Sequence, residues 1–231
     1  MHLRAQKQRS GNMGRTLSVA CATILVLSLG IATWPQRPTS LRQFDADRIA
    51  GLEVRMWQAY YDKERVRLFG LLVVMLREQF HFSWATATGT AFRLARAAAT
   101  FGDATGDYEA VLPDLTRAYE SIRAHSDGTF EPSDVAQAEL AWWVARRLPD
   151  SRAPEHVGAL IAREYAEMYS APVEDMTQPG VLRARAAALR DAEAGRPDWP
   201  TIAGLLHDSY RMLHARLATA PPTARTIVSF R

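Results

Sequence analysis

"ELAWWVARR", Glu139 to Arg147, places two adjacent tryptophans between an acid and an arginine pair. Set on a helix, the segment 132–148 is apolar over most of its circumference: Ala136, Ala138, Leu140, Ala141, Trp143, Val144 and Leu148 cover it almost continuously. A helix with so little polar surface belongs near the middle of a helical body, and its two indoles are expected to serve mostly as core. Glu139 and Arg146 fall close together in a narrow polar strip flanked by Trp142 and Trp143. They are two turns, about 10 Å, apart along the axis, so each needs a different partner.

Working outward, no stretch of useful length alternates as a strand would, and alanine, leucine and arginine recur at helical spacing. The reading is an all-α chain of one N-terminal transmembrane helix followed by a seven-helix bundle or an array of helical hairpins. The first body helix is expected over 47–82, with a bend near Gly70. Ser83 caps the second, which Gly102 closes, and the third spans 108–125. Ser133 caps the fourth, which ends before Pro149, and Pro154 opens the fifth. The sixth covers 179–194 and is closed by Gly195; Asp198 caps the seventh, over 199–218.

Three of these helices share a pattern. Val111, Leu115, Tyr119 and Ile122 stand at spacings matched by Val157, Ile161, Tyr165 and Met168, and again by Ile202, Leu206, Tyr210 and Leu213. The starts lie 46 and 45 residues apart, a period found in helix-pair repeats. Apolar residues at these offsets describe any half-buried helix, so only the recurring tyrosine adds information.

The start of the chain has its own character. From Thr16 to Trp34, "TLSVACATILVLSLGIATW" runs 19 residues without a charge and contains the one cysteine, Cys21. As a helix it covers about 28 Å, close to the hydrocarbon thickness of a bilayer. Arg4, Lys7, Arg9 and Arg15 precede it with no acid, whereas Arg37, Arg42 and Arg48 follow it mixed with Asp45 and Asp47. The positive-inside rule then gives a basic cytoplasmic tail over 1–15, a signal-anchor crossing the lipid bilayer over 16–34, a linker over 35–43, an extracytoplasmic helical domain over 44–218 and a flexible tail over 219–231. The rival is a secretory signal cleaved after Ala32; Trp34 at the far edge favours the anchor. A second apolar run, Leu68–Leu76, has nine residues and is too short to span, so it is expected as the most buried part of a body helix.

Charge excludes one class of partner. Removing the five bases of the first 40 residues leaves 23 bases against 25 acids, no footprint for a nucleic acid. The body has no thiol for a disulfide, a zinc site or nucleophilic catalysis. Walker, G-x-G-x-x-G and G-x-S-x-G motifs are absent, and no cofactor is expected. Glu78-x-x-His81 is half of a di-iron pattern without its second half. Asp103, Thr105, Asp107 and Glu109 alternate as in a calcium loop, but Tyr108 stands where that loop needs glycine. His207, Arg211 and His214 read as a solvated polar face.

One constellation could bind a ligand. Glu53, Trp57, Tyr60, Tyr61 and Glu64 lie on one stripe of the first body helix. Facing Glu139, Trp142, Trp143 and Arg146, they would form an acid and aromatic cleft suited to a cation or a sugar. The plainer reading has the rings packed inward and the acids paired with arginines such as Arg55 or Arg147. Function is read accordingly as a membrane-held interaction module, or accessory subunit of an envelope complex, that binds a protein partner. The alternative is a small-ligand binder or enzyme using that cleft.

Overall fold

In the computed structural model, which describes residues 39–193 and 195–219, eight α-helices follow one another. They are α1 (Ala46–Tyr61), α2 (Arg65–Phe80), α3 (Trp84–Asp103), α4 (Leu112–Ala124), α5 (Pro132–Arg147), α6 (Pro154–Tyr169), α7 (Val173–Ala192) and α8 (Trp199–Thr219). A 3-10 turn over Glu109–Val111 leads into α4, and one isolated bridge pairs Thr39 with Ser126. Each helix packs against its predecessor and its successor, and α8 returns to pack against α1. The array is therefore closed rather than an open solenoid. Among the described residues no helix is long and apolar enough to cross a membrane. The expected tail over 1–15, the span over 16–34 and residues 220–231 lie outside the described residues.

Among the described residues there are eight helices where seven were expected for the body, because the first breaks between Tyr61 and Arg65 and not near Gly70. Lys63 takes a left-handed conformation (φ 60°), and the Glu64 amide reaches back to the Ala59 carbonyl at 2.8 Å. That arrangement usually carries glycine, and a lysine there pays about 1 kcal/mol of steric cost. Lys63→Gly is expected to raise the free energy of unfolding by about 0.5–1 kcal/mol in a denaturant titration. A loss instead would show that the lysine side chain holds the turn.

Two other helix starts differ. Pro132 occupies the first turn of α5, so Glu131, not Ser133, is the N-cap. The seventh helix begins at Val173, six residues before Pro179, and carries that proline inside it. Met176, fully buried, anchors the additional turns. Elsewhere Ser83 accepts from the Thr86 amide at 3.1 Å and Asp198 from the Thr201 amide at 3.2 Å, as their sequence context predicts.

All twelve residues of the 45-residue pattern are buried; Val111 lies in the 3-10 turn and the others on α4, α6 and α8. α2, α4, α6 and α8 end at one end of the assembly, where the chain crosses them. The Thr39 amide donates to the His125 carbonyl (3.3 Å), and the Thr39 hydroxyl to Phe80 (3.4 Å). Arg42 donates to the carbonyls of Tyr169 (3.0 Å) and Leu217 (3.2 Å). One short segment thus satisfies terminal carbonyls of four helices, with a cation at two negative dipole ends. Residues 39–43, expected as part of a linker, are fastened to the helices, and Leu41 is 3% exposed.

Leu68–Leu76 is the most buried part of α2, as expected, holding two of its three fully buried residues, Val73 and Leu76. His207, Arg211 and His214 lie on a partly exposed polar side of α8, as expected. His207 and Arg211 both hold Asp47, at 2.9 and 2.7 Å, and His214 meets the Phe44 ring edge-on, so these side chains help close α8 onto α1.

Candidate functional site

The interior of a single-layer helical array must be filled by long side chains, and here many of them are polar. From α1, Glu53 points inward with its side chain 4% exposed. Arg183 on α7 grips it, Nε and Nη2 reaching the same oxygen, Oε1, at 2.9 and 2.8 Å. The other oxygen, Oε2, is buried without a hydrogen-bond partner. Tyr210 on α8 faces this carboxylate. Burial, with Glu53 and Tyr165 beside it, holds the Tyr210 hydroxyl well above its ordinary pKa. Burial opposes the Arg183 charge, but the negative charge of Glu53, the largest opposing influence, outweighs it and keeps this guanidinium protonated.

A second group adjoins the first. The Tyr119 hydroxyl, on α4, lies 2.8 Å from Oε2 of Glu139 on α5 and 3.3 Å from Oε1 of Glu164 on α6. The Trp142 indole N–H donates to the other Glu164 oxygen, and the Arg183 guanidinium lies 5.1 Å from the Trp142 ring centre, joining the two groups. Burial, then the charge of Glu164, pushes the Glu139 carboxyl up to about 8. Glu164 is raised as well, chiefly by burial. Glu139 remains half-buried, with the Trp143 indole against it. Trp143 in turn packs edge-on against Phe101 of α3, at 5.2 Å between ring centres.

Arg146 belongs to a third group at the far end of α5. It binds Asp191 on α7 (3.1 Å) and donates to the Tyr61 hydroxyl (2.9 Å), while its guanidinium stands 5.8 Å from the Trp57 ring. Arg190 lies over the opposite partner, 3.5 Å from the Tyr61 ring centre, with a buried, unpartnered Nε. Burial raises the Tyr61 hydroxyl pKa.

Seven of the eight residues singled out in the sequence take part in one of these three groups: Glu53 in the first, Glu139, Trp142 and Trp143 in the second, and Trp57, Tyr61 and Arg146 in the third, which is partly exposed. Tyr60 is not among them; it is 61% exposed and only its ring edge meets Tyr61. Glu64, from the same expected stripe, caps α2 and pairs with Arg67, since α1 has already ended. The expected arginine partners differ too. Arg55 bonds the Gly51 carbonyl and Arg147 the carbonyls of Phe101 and Gly102, so neither neutralises an interior acid. Glu78 pairs with Arg48, and the His81 ring meets the Gln43 carbonyl.

The acids and rings contact one another closely, in an arrangement unlike a cleft. Two shallow grooves lie elsewhere on the surface: one of about 670 Å³ between α7 and α8, over Leu182, Met212 and Ala215, the other of about 380 Å³ along α6 and α7. Neither reaches Glu53, Glu139 or Glu164. On the outside, Trp84 (61% exposed) and Phe92 project from one side of α3, with the Arg77 guanidinium 4.1 Å from the Trp84 ring.

Tyr119, Glu164, Arg183 and Tyr210 were not recognised as site residues from sequence. Glu164 had a signal: it stands seven residues after Val157, on the apolar stripe of its helix. The equivalent positions after Val111 and Ile202 hold Ala118 and Ser209, both buried. A carboxylate where two sister helices put small residues marks an interior acid. No protein-family model matches this chain, and neither the curated proteins nor the solved structures contain one significantly similar to it.

Proposed function

We propose that the chain is a membrane-anchored, extracytoplasmic helical interaction module, an accessory subunit of an envelope complex that binds a protein partner. The observation that carries this reading is that the interior acids and aromatics are engaged with one another, while the two surface grooves described above lie away from Glu53, Glu139 and Glu164. A ligand site keeps convergent polar groups facing a cavity.

Two further features support it. The uncharged stretch 16–34 is only four residues from Thr39, where the chain is fastened across the ends of α2, α4, α6 and α8. A tether in the bilayer would therefore hold the helices directly, without a long slack linker. The exposed Trp84 and Phe92 are aromatic side chains of the kind that partner proteins cover. The test is extraction of the tagged full-length protein from membranes in mild detergent, followed by mass spectrometry of what co-purifies. The expected result is a stoichiometric membrane or envelope protein, retained by the parent and reduced at least tenfold by Trp84→Ala with Phe92→Ala, about 1.4 kcal/mol or more of binding energy. A protein recovered from the aqueous fraction, or one that carries only a small molecule, would count against the reading.

A second reading rests on Glu139. A half-buried carboxyl held near 8 beside a second carboxyl and a tyrosine has the protonation behaviour of a general acid. It requires a substrate to reach Glu139 past Trp142 and Trp143, through a movement of α5 that opens the surface there.

A further inference from the structure

Three acids and one guanidinium meet between the helices, Glu53 and Glu164 buried and Glu139 half-buried, and their hydrogen bonds do not balance if every acid is ionised. Arg183 directs both Nε and Nη2 to a single oxygen of Glu53, so its charge is committed there. Glu139 and Glu164 are left with Tyr119 between them, the Trp143 indole at Glu139 and Trp142 at the far oxygen of Glu164. A tyrosine hydroxyl has one proton to donate. It can satisfy the Glu139 oxygen at 2.8 Å, but its lone pairs then face Glu164 Oε1 at 3.3 Å. Two ionised carboxylates around that hydroxyl repel each other and leave one oxygen facing another without a hydrogen. One added proton removes both faults: a neutral carboxyl donates to the tyrosine oxygen, and the tyrosine donates to the remaining carboxylate.

We infer that Glu139, Tyr119 and Glu164 form a one-proton site that stays loaded at neutral pH, and that unloading it in mild alkali loosens α5 from α4 and α6. The proton belongs to the pair of carboxyls rather than to either one. The groups that face the pair come from every side. α4 supplies Tyr119, α6 supplies Glu164 and Tyr165, α7 supplies Arg183, and α1 supplies Glu53, with Tyr210 of α8 behind it. On α5 itself Trp142 and Trp143 flank Glu139. Arg183 alone among them carries positive charge, and Glu53 already engages it. Release of the proton therefore places a second negative charge in the interior with no cation free to meet it.

The sign of the pH effect follows. The folded pair holds its proton to about pH 8, whereas an unfolded glutamate gives it up near 4.5. Folding takes up a proton between those values, so the stability it contributes is complete below the lower value and is lost as pH rises through the upper one. This inference concerns the resting molecule and stands apart from the identity of any partner.

The experiment is a carbon-13 carboxyl titration of the full-length protein labelled at glutamate, read in parallel with tryptophan emission, since Trp142 bonds directly to Glu164. The expected result is one carboxyl step with a midpoint near pH 8, accompanied by a red shift of emission. Glu139→Gln should abolish that step and flatten the change of unfolding midpoint between about pH 4.5 and 8. Tyr119→Phe removes a hydrogen bond that favours the ionised carboxyls and should move the step upward by about one unit. The inference is overturned if all glutamates of the parent protein titrate below about pH 6. A step that persists unchanged in both variants overturns it equally. The parent titration decides the matter even where a variant fails to fold.

Discussion

Arg183→Met lowers the free energy of unfolding at neutral pH by about 3–5 kcal/mol, because it leaves Glu53 charged and buried without its counter-ion. The guanidinium and the carboxylate come from helices 130 residues apart in sequence and meet at 2.8 Å, with side chains only 18% and 4% exposed. A surface pair of this geometry would contribute about 0–1 kcal/mol, and solvent would replace it. Here no solvent reaches Glu53, whose second oxygen already lacks a partner. Methionine keeps the length and apolar body of the arginine stem, so the loss measures charge more than packing. The control is the double replacement, Glu53→Leu with Arg183→Met, which removes both charges and should recover most of the loss. Equilibrium denaturation of the two variants checks this. A single replacement costing less than about 1 kcal/mol would mean that water or another cation already compensates Glu53. The same substitution removes the cation nearest Glu164, so the Glu139–Glu164 proton should be held to higher pH as well.

How far this interior could be read from the sequence depends on what kind of signal each part leaves. Tyr119, Tyr165 and Tyr210 announced themselves through spacing, since helices that pack alike bury alike, and the hydroxyls turn out to surround one set of acids. Glu53, Trp57, Tyr61, Glu139, Trp142, Trp143 and Arg146, expected to face one cleft, instead fall into three groups, each with its own partners, because a polar residue inside an apolar stripe needs a partner wherever that stripe is buried. Their partners were hidden. Arg183 and Asp191 lie on α7 and pair with α1 and α5, and nothing local to Glu53 or Arg146 specifies an acid or base on α7.

The helix boundaries that differ do so for another reason. Lys63, His81 and Ser170 all adopt left-handed conformations at the ends of α1, α2 and α6, and no described glycine does. A reading that looks for glycine at helix ends passes over Lys63 and merges α1 with α2. Pro179 misled in the opposite direction, suggesting a start where the helix already has a turn and a half behind it. The function left least trace. Interaction surfaces are not marked by fixed residue spacings, and the exposed pair Trp84 and Phe92 becomes visible only once the inner face of α3 is known.

Gly180→Ala should cost at least about 2–3 kcal/mol, the reverse of what alanine does in most helices. Gly180 follows Pro179 within α7, and a methyl group there would land on the Gly158 carbonyl oxygen and 2.9 Å from the Ala162 amide nitrogen. The clash is with backbone, which cannot rotate away. Gly158 mirrors it, since a methyl there would meet the Val181 Cα at 2.6 Å. α6 and α7 are therefore pressed together at a glycine pair, and Ser209 of α8 ties into the same place by donating to the Pro179 carbonyl at 2.8 Å. Forcing the two helices apart displaces Arg183, one turn beyond Gly180, from Glu53, and Glu164 from Trp142. Gly70→Ala supplies the comparison: it lies in α2 with open space around it, and should gain about 0.5–1 kcal/mol from propensity alone. Denaturant unfolding of both variants gives the answer. Equal stabilisation at the two positions would mean that α6 and α7 can separate at little cost; opposite signs would locate the rigid seam on which the interior acid network is built.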